Sequence, residues 1–146
     1  MRRSFPFFLF LISFPLFSFG TKDSSLTQIN IQKQIKDAFI RGNAQQLSLC
    51  FNEVVDVKIN GIDATYSRYQ AELIVSDFFD KNPPKTFQIE QEGNTSECVT
   101  YTIATYTTSA NCLFRVYYVI KRTKKTEKLQ IYELSITKNK QCQLRK

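Results

Sequence analysis

Ser67-Arg68-Tyr69-Gln70-Ala71-Glu72-Leu73-Ile74-Val75-Ser76-Asp77-Phe78-Phe79-Asp80-Lys81-Asn82-Pro83-Pro84 carries a helix with both ends marked. Ser67 and Gln70 stand at the Ser-x-x-Gln spacing of a capping box, in which the hydroxyl satisfies one orphan amide and the carboxamide reaches back to another. Ala71, Ile74, Val75, Phe78 and Phe79 form one apolar stripe, with Arg68, Glu72, Asp77 and Asp80 on the other face. Asn82-Pro83-Pro84 stops the helix, because proline has no amide donor and drives its predecessor out of the helical region. Helical periodicity dominates before this point and strand periodicity after it.

Upstream, Ile31, Ile35, Ala38 and Phe39 recur at i, i+4, i+7 and i+8, the stripe of an amphipathic helix with Thr27 as cap and Gly42 as stop. Asn43 caps a second short helix, with Gln46 placed to reach back and Leu47, Cys50 and Phe51 facing inward. Val54–Ile59 reads as a short strand, and Asn60-Gly61 as the turn before a second, Ile62–Thr65. Downstream, Thr86–Gln91, Cys98–Thr108, Leu113–Arg122 and Lys128–Thr137 read as a four-strand antiparallel meander.

Helices first and a meander afterwards predict an α+β domain in which a curved sheet covers its apolar face with those helices. A last turn centred on Lys124 pairs Arg115 with Glu133, Phe114 with Leu134 and Tyr117 with Ile131. Phe114, Val116, Tyr118 and Ile120 lie on one side of their strand, and Leu113, Tyr117 and Val119 on the other. A strand apolar on both sides predicts a covering for the outer sheet face, by a second copy of the chain or a partner protein.

The amino terminus predicts export. Arg2 and Arg3 precede an apolar run from Phe5 to Phe17, and Ser18-Phe19-Gly20 is a small-x-small cleavage pattern. The run falls short of the ~20 residues that span a bilayer, and no cysteine near the cut offers a lipid anchor. The predicted organisation is a signal peptide over residues 1–20, a polar tether over 21–28, one domain over 29–137 and a basic tail over 138–146. The expected product is periplasmic or secreted and does not span a membrane.

The leader holds seven of the thirteen phenylalanines, and removing Arg2 and Arg3 with it lowers the formal charge from +7 to +5. The basic cluster Lys121-Arg122-Thr123-Lys124-Lys125 reads first as a solvated hairpin tip and second as a patch for an anionic polymer; no nucleic-acid partner is expected. Cysteines 50, 98, 112 and 142 fit no zinc spacing, and the chain has no histidine. Neither metal nor cofactor is expected, and the thiols read equally well as bridged or free. Cys142 lies in the basic tail, where it reads either as part of a frayed end or as a bridge back to the domain.

The order of helix hairpin, strand pair, capped helix and long meander resembles the nuclear-transport-factor-two-like superfamily of cone-shaped, cystatin-like domains. Phe39-Ile40-Arg41-Gly42-Asn43, Phe51-Asn52 with Val55-Asp56-Val57, Tyr66 to Glu72, Asp77 to Lys85 and Phe114-Arg115-Val116-Tyr117 resemble, within it, a family of small exported bacterial proteins known only as a domain of unknown function. The likeness spans residues 29–137. It implies a fold and no catalytic set.

In that superfamily the mouth between helices and sheet often forms a pocket, which makes Asp56, Tyr101, Tyr106, Arg115, Tyr117 and Glu133 the candidate ligand-binding residues. A carboxylate in an apolar pocket would suit an isomerase or dehydratase, with Asp56 or Glu133 as base and a tyrosine as donor. The simpler reading makes Arg115–Glu133 a cross-strand ion pair and the tyrosines wall residues. It gives a non-enzymatic exported module that binds a partner protein or a small apolar ligand, with homodimerisation through the outer sheet face. Intact-mass spectrometry of the exported protein should find a chain that begins at Thr21; one that retains Met1 would refute the leader.

Overall fold

The structure, a computed structural model, describes residues 24–123 and 127–139. The leader, Lys124, Lys125 and Cys142 lie outside the described residues. Helix α1 spans Ser24–Arg41, α2 Ala44–Ser48 and α3 Arg68–Lys81. Strands are β1 Phe51–Ile59, β2 Ile62–Ser67, β3 Pro84–Ser96, β4 Val99–Thr108, β5 Leu113–Arg122 and β6 Leu129–Lys138.

Local signals act as their chemistry dictates. Both hydrogen bonds of the capping box form between Ser67 and Gln70. Asn43 accepts from the Gln46 amide at 2.9 Å at the start of α2. At the end of α1 the amides of Gly42 and Asn43 donate to the carbonyls of Phe39 and Ala38 at 3.2 and 2.9 Å. This 6→1 and 5→2 pair needs a left-handed residue, and Gly42 supplies it at φ +61°. Asn60 and Gly61, both at positive φ, close the β1–β2 hairpin with a two-residue turn.

Helix α1 begins before the predicted cap, so Thr27 lies inside it. Tertiary contacts lengthen it past the apolar stripe: Gln28 and Gln32, one turn apart, donate to the hydroxyls of Thr100 and Thr102 at 3.1 and 2.8 Å.

The sheet has six strands, in the order β2-β1-β6-β5-β4-β3, in place of the predicted four. The extra two are the early hairpin, which joins the meander because β1 runs parallel to β6. Apolar alternation marks Val55, Val57 and Ile59 as buried but carries no information on which distant strand lies alongside. The sheet is therefore mostly antiparallel, with β2 and β3 at its edges.

The predicted β5–β6 register is corrected by four residues. Arg115 faces Thr137, Phe114 faces Lys138 and Tyr117 faces Ser135, while Glu133 faces Val119. Two features account for it. The strands end at Arg122 and Leu129, so the turn is longer than one centred on Lys124. Ile131 and Leu134 both point inward across an odd spacing, which requires the bulge found where Val119 pairs with Glu133 and Ile120 with Ile131. Up to the bulge the slip is even, so β5 and the residues of β6 from Glu133 onward keep their predicted faces; beyond it the slip is three, and Ile131, expected outside opposite Tyr117, turns inward opposite Ile120.

Helices α1 and α3 cover the inner face. Ala71, Val75, Phe78 and Phe79 of α3 are buried, and Ile74 is partly so. An aromatic cluster fills the space between helices and sheet: Phe39 stacks on Phe87 at 4.5 Å, Phe79 meets Phe39 edge-on at 5.6 Å, and Phe78 meets Phe114 edge-on at 5.1 Å. Tyr106 sits among them, its ring 5.5 Å from that of Phe78. No helix among the described residues is long and apolar enough to cross a membrane. Phe78→Ala should destabilise the fold by about 3–5 kcal/mol in urea denaturation, because a fully buried ring leaves a cavity that its stacked neighbours cannot collapse into.

Candidate functional site

Strands β1, β5 and β6 bring Asp56, Arg115, Tyr117 and Glu133 to one groove of about 460 Å3 on the outer sheet face, away from the helices. Parallel pairing sets Asp56 directly beside Glu133. Asp56 accepts from the Thr65 hydroxyl at 2.5 Å. Lys58 pairs with Asp63 at 3.1 Å, and both side chains are more than half exposed, so this pair contributes about 0–1 kcal/mol.

The expected Arg115–Glu133 pair is not formed. Arg115 faces Thr137, four residues from Glu133 along β6, a separation of about 13 Å at 3.3 Å per residue. Neither side chain has a hydrogen bond or ion pair among the described residues. The groove thus holds two adjacent carboxylates at one end and a guanidinium at the other, none of them spent on one another. Like charges directly across neighbouring strands cost stability, which a cationic partner group would recover.

Tyr117 joins the two ends. Partial burial raises its phenol above the usual value, and the nearby Glu133 and Tyr101 raise it further. The hydroxyl therefore remains a hydrogen-bond donor at neutral pH. Tyr101 lies on the same face and accepts from Gln91 Nε2 at 2.9 Å. Its ring crosses Gly93 of β3, where a Cβ would stand 2.5 Å from the tyrosine oxygen.

Tyr106 lies on the opposite face, in the core. Its hydroxyl donates to the Asn82 carbonyl, and burial raises its pKa strongly. Of the six candidates, four share the groove, Tyr101 adjoins it on the same face, and Tyr106 supports the interior.

Sequence reasoning missed a buried polar chain under α1. The Tyr118 hydroxyl donates to Gln32 Oε1, Gln32 Nε2 donates to Thr102, and Gln28 Nε2 donates to Thr100, which in turn donates to Asn94 Oδ1 at 2.9 Å. The signal available was the pair of glutamines at i and i+4 together with threonines at alternate inward positions of β4. Among the described residues no group of three or more carboxylates, thiols or imidazoles is placed to hold a metal. Cys50 is buried, which pushes its thiol up to about 11, so it is a poor nucleophile at neutral pH.

Helices over one face of a curled, mostly antiparallel sheet define a nuclear-transport-factor-two-like, cystatin-like α+β domain. The chain belongs to the family described as "Domain of unknown function (DUF4783)", whose sequence model matches residues 32–137. A DUF4783 family protein from Bacteroides fragilis is 27% identical with a TM-score of 0.66, over 73% of this chain and 96% of that one. A domain of unknown function with a cystatin-like fold from Nostoc punctiforme is 18% identical with a TM-score of 0.63, over 82% of this chain and 79% of that one. An NTF-2 like protein of unknown function from Silicibacter pomeroyi is 11% identical with a TM-score of 0.55, over 78% and 94%. No curated protein matches the chain.

Gly93→Ala should destabilise the protein by about 1–3 kcal/mol, the usual cost of forcing a methyl group into a packed site. In a Tyr101→Ala background the same change should be nearly neutral. A chemical-denaturation cycle over the four proteins measures the difference.

Proposed function

We propose that the chain is an exported, non-enzymatic binding module whose working surface is the outer sheet face, occupied by a second copy of the chain. The observation that carries the reading is the packed interior. A pocket enzyme with Asp56 or Glu133 as base needs a carboxylate inside an apolar enclosure. Here Phe39, Phe78, Phe87, Tyr106 and Phe114 fill the region between helices and sheet, and both carboxylates lie on the open outer groove.

The charge pattern supports self-association. The outer face carries unspent charges of both signs flanking Tyr101, Ile103, Tyr117 and Val119, and Val119 is only 7% exposed. A two-fold contact presents one surface to itself, so residue i meets residue j and residue j meets i. Such a contact lets Arg115 of each copy approach Asp56 and Glu133 of the other. A disulfide at Cys112 fits an oxidising compartment, in keeping with the predicted leader.

Sedimentation equilibrium of the protein tests the reading. Wild type should be dimeric, Arg115→Glu should shift the equilibrium to monomer, and adding Glu133→Arg should restore part of the association. A monomeric wild type, or a dimer indifferent to Arg115→Glu, would reject this face as the interface.

A further inference from the structure

We propose a second site, for a small aliphatic carboxylate, at the mouth between α1, the start of α3 and residues 127–130 at the entry to β6, with Arg68 as its anchor. A cavity of about 360 Å3 opens there, within the range of small-molecule sites, about 300–1,000 Å3. Arg68 lines it from the first position of α3. Its Nε is buried and makes no hydrogen bond, the one such side-chain atom among the described residues. A buried donor on a permanently charged group is costly to leave unpaired, and no acceptor among the described residues meets it.

Two of the neighbouring carboxamide oxygens are already engaged. Gln34 Oε1 takes the Cys50 thiol at 3.9 Å, and the Asn30 carboxamide oxygen takes Gln34 Nε2 at 3.4 Å. Glu127, at the rim, has an interaction of its own. A ligand carboxylate can supply the acceptor that Arg68 Nε lacks among the described residues.

The lining sets the ligand's character. The planar guanidinium matches a carboxylate through two parallel hydrogen bonds. Lys128 adds a second cation at the opening and Glu127 an anion, so the site favours one negative charge and disfavours a dianionic phosphate. Ile31, Leu49 and Leu129 supply an apolar wall, and Leu49 is 71% exposed, a large side chain left in water. A carboxylate with a short aliphatic tail covers Leu49 while its head meets Arg68. This site is separate from the outer sheet face and stands or falls without it.

Two-dimensional amide NMR with added hexanoate tests the proposal, with hexanamide and acetate as controls. Hexanoate should produce saturable shifts at Leu49, Arg68 and Leu129. Hexanamide, which lacks the charge, and acetate, which lacks the tail, should bind at least about tenfold more weakly, as should hexanoate to Arg68→Gln, because a charge-assisted hydrogen bond is lost. Leu49→Asp, at an exposed position, keeps the fold and should weaken hexanoate as much, so the test survives if Arg68→Gln does not fold. Equal affinity for hexanoate and hexanamide, hexanoate shifts elsewhere, or no saturable shift would overturn the assignment.

Discussion

The fold depends on one junction, where two helices end and the meander begins. The Asn82 carbonyl at the end of α3 receives the Tyr106 hydroxyl from near the end of β4. The next carbonyl, of Pro83, receives the Ser109 amide at 2.8 Å. Pro84 then packs on Gly42 so closely that a Cβ there would sit 3.1 Å from the proline ring. Three chain segments distant in sequence are thereby held at one point, and each uses a residue that has no substitute for the task. Proline removes the amide that would continue α3, glycine supplies the left-handed turn, and tyrosine carries a hydroxyl into an otherwise apolar cluster.

That junction explains why the interior is occupied. Once α3 is anchored to β4, the rings of Phe78 and Phe79 have nowhere to lie but against Phe39, Tyr106 and Phe114. Domains of this architecture have room for a pocket between helices and sheet; this chain spends the room on aromatic packing. Polar groups free to engage a partner are left outside it, on the groove of the outer face and at the mouth beside Arg68.

Features set by neighbours along the chain are legible from the residues alone. The box at Ser67 and Gln70, the Asn82-Pro83-Pro84 stop and the Asn60-Gly61 turn each rest on short-range stereochemistry, and each forms. Features set by distant pairing are not. Nothing local says that β1 runs parallel to β6, so the hairpin reads as a separate piece when it extends the sheet to six strands. The β5–β6 register fails for a related reason: the odd spacing between Ile131 and Leu134 points to a bulge, but the turn's length decides the pairing. Asp56, Arg115, Tyr117 and Glu133 come together on the outer face and not in the mouth between helices and sheet where the resemblance would put them. Alternation separates Tyr101 from Tyr106, five residues apart on β4 and so on opposite faces, which their grouping in one pocket overlooks; it leaves Arg68 as one surface charge among many.

The open sheet exposes two rims to solvent, and the longer of them bears on how the protein stays discrete in solution. Over its thirteen residues β3 departs from regular pairing at three places, between Pro84 and Thr86, Ile89 and Gln91, and Asn94 and Ser96. An incoming strand needs an unbroken, evenly spaced row of backbone donors and acceptors, and a rim interrupted every few residues does not offer one. The opposite rim, β2, is six residues long and carries Asp63. Rim-to-rim growth into fibrils is obstructed at both ends, so any assembly is steered towards broad contacts between faces, where a two-fold axis closes the complex at a fixed number of chains.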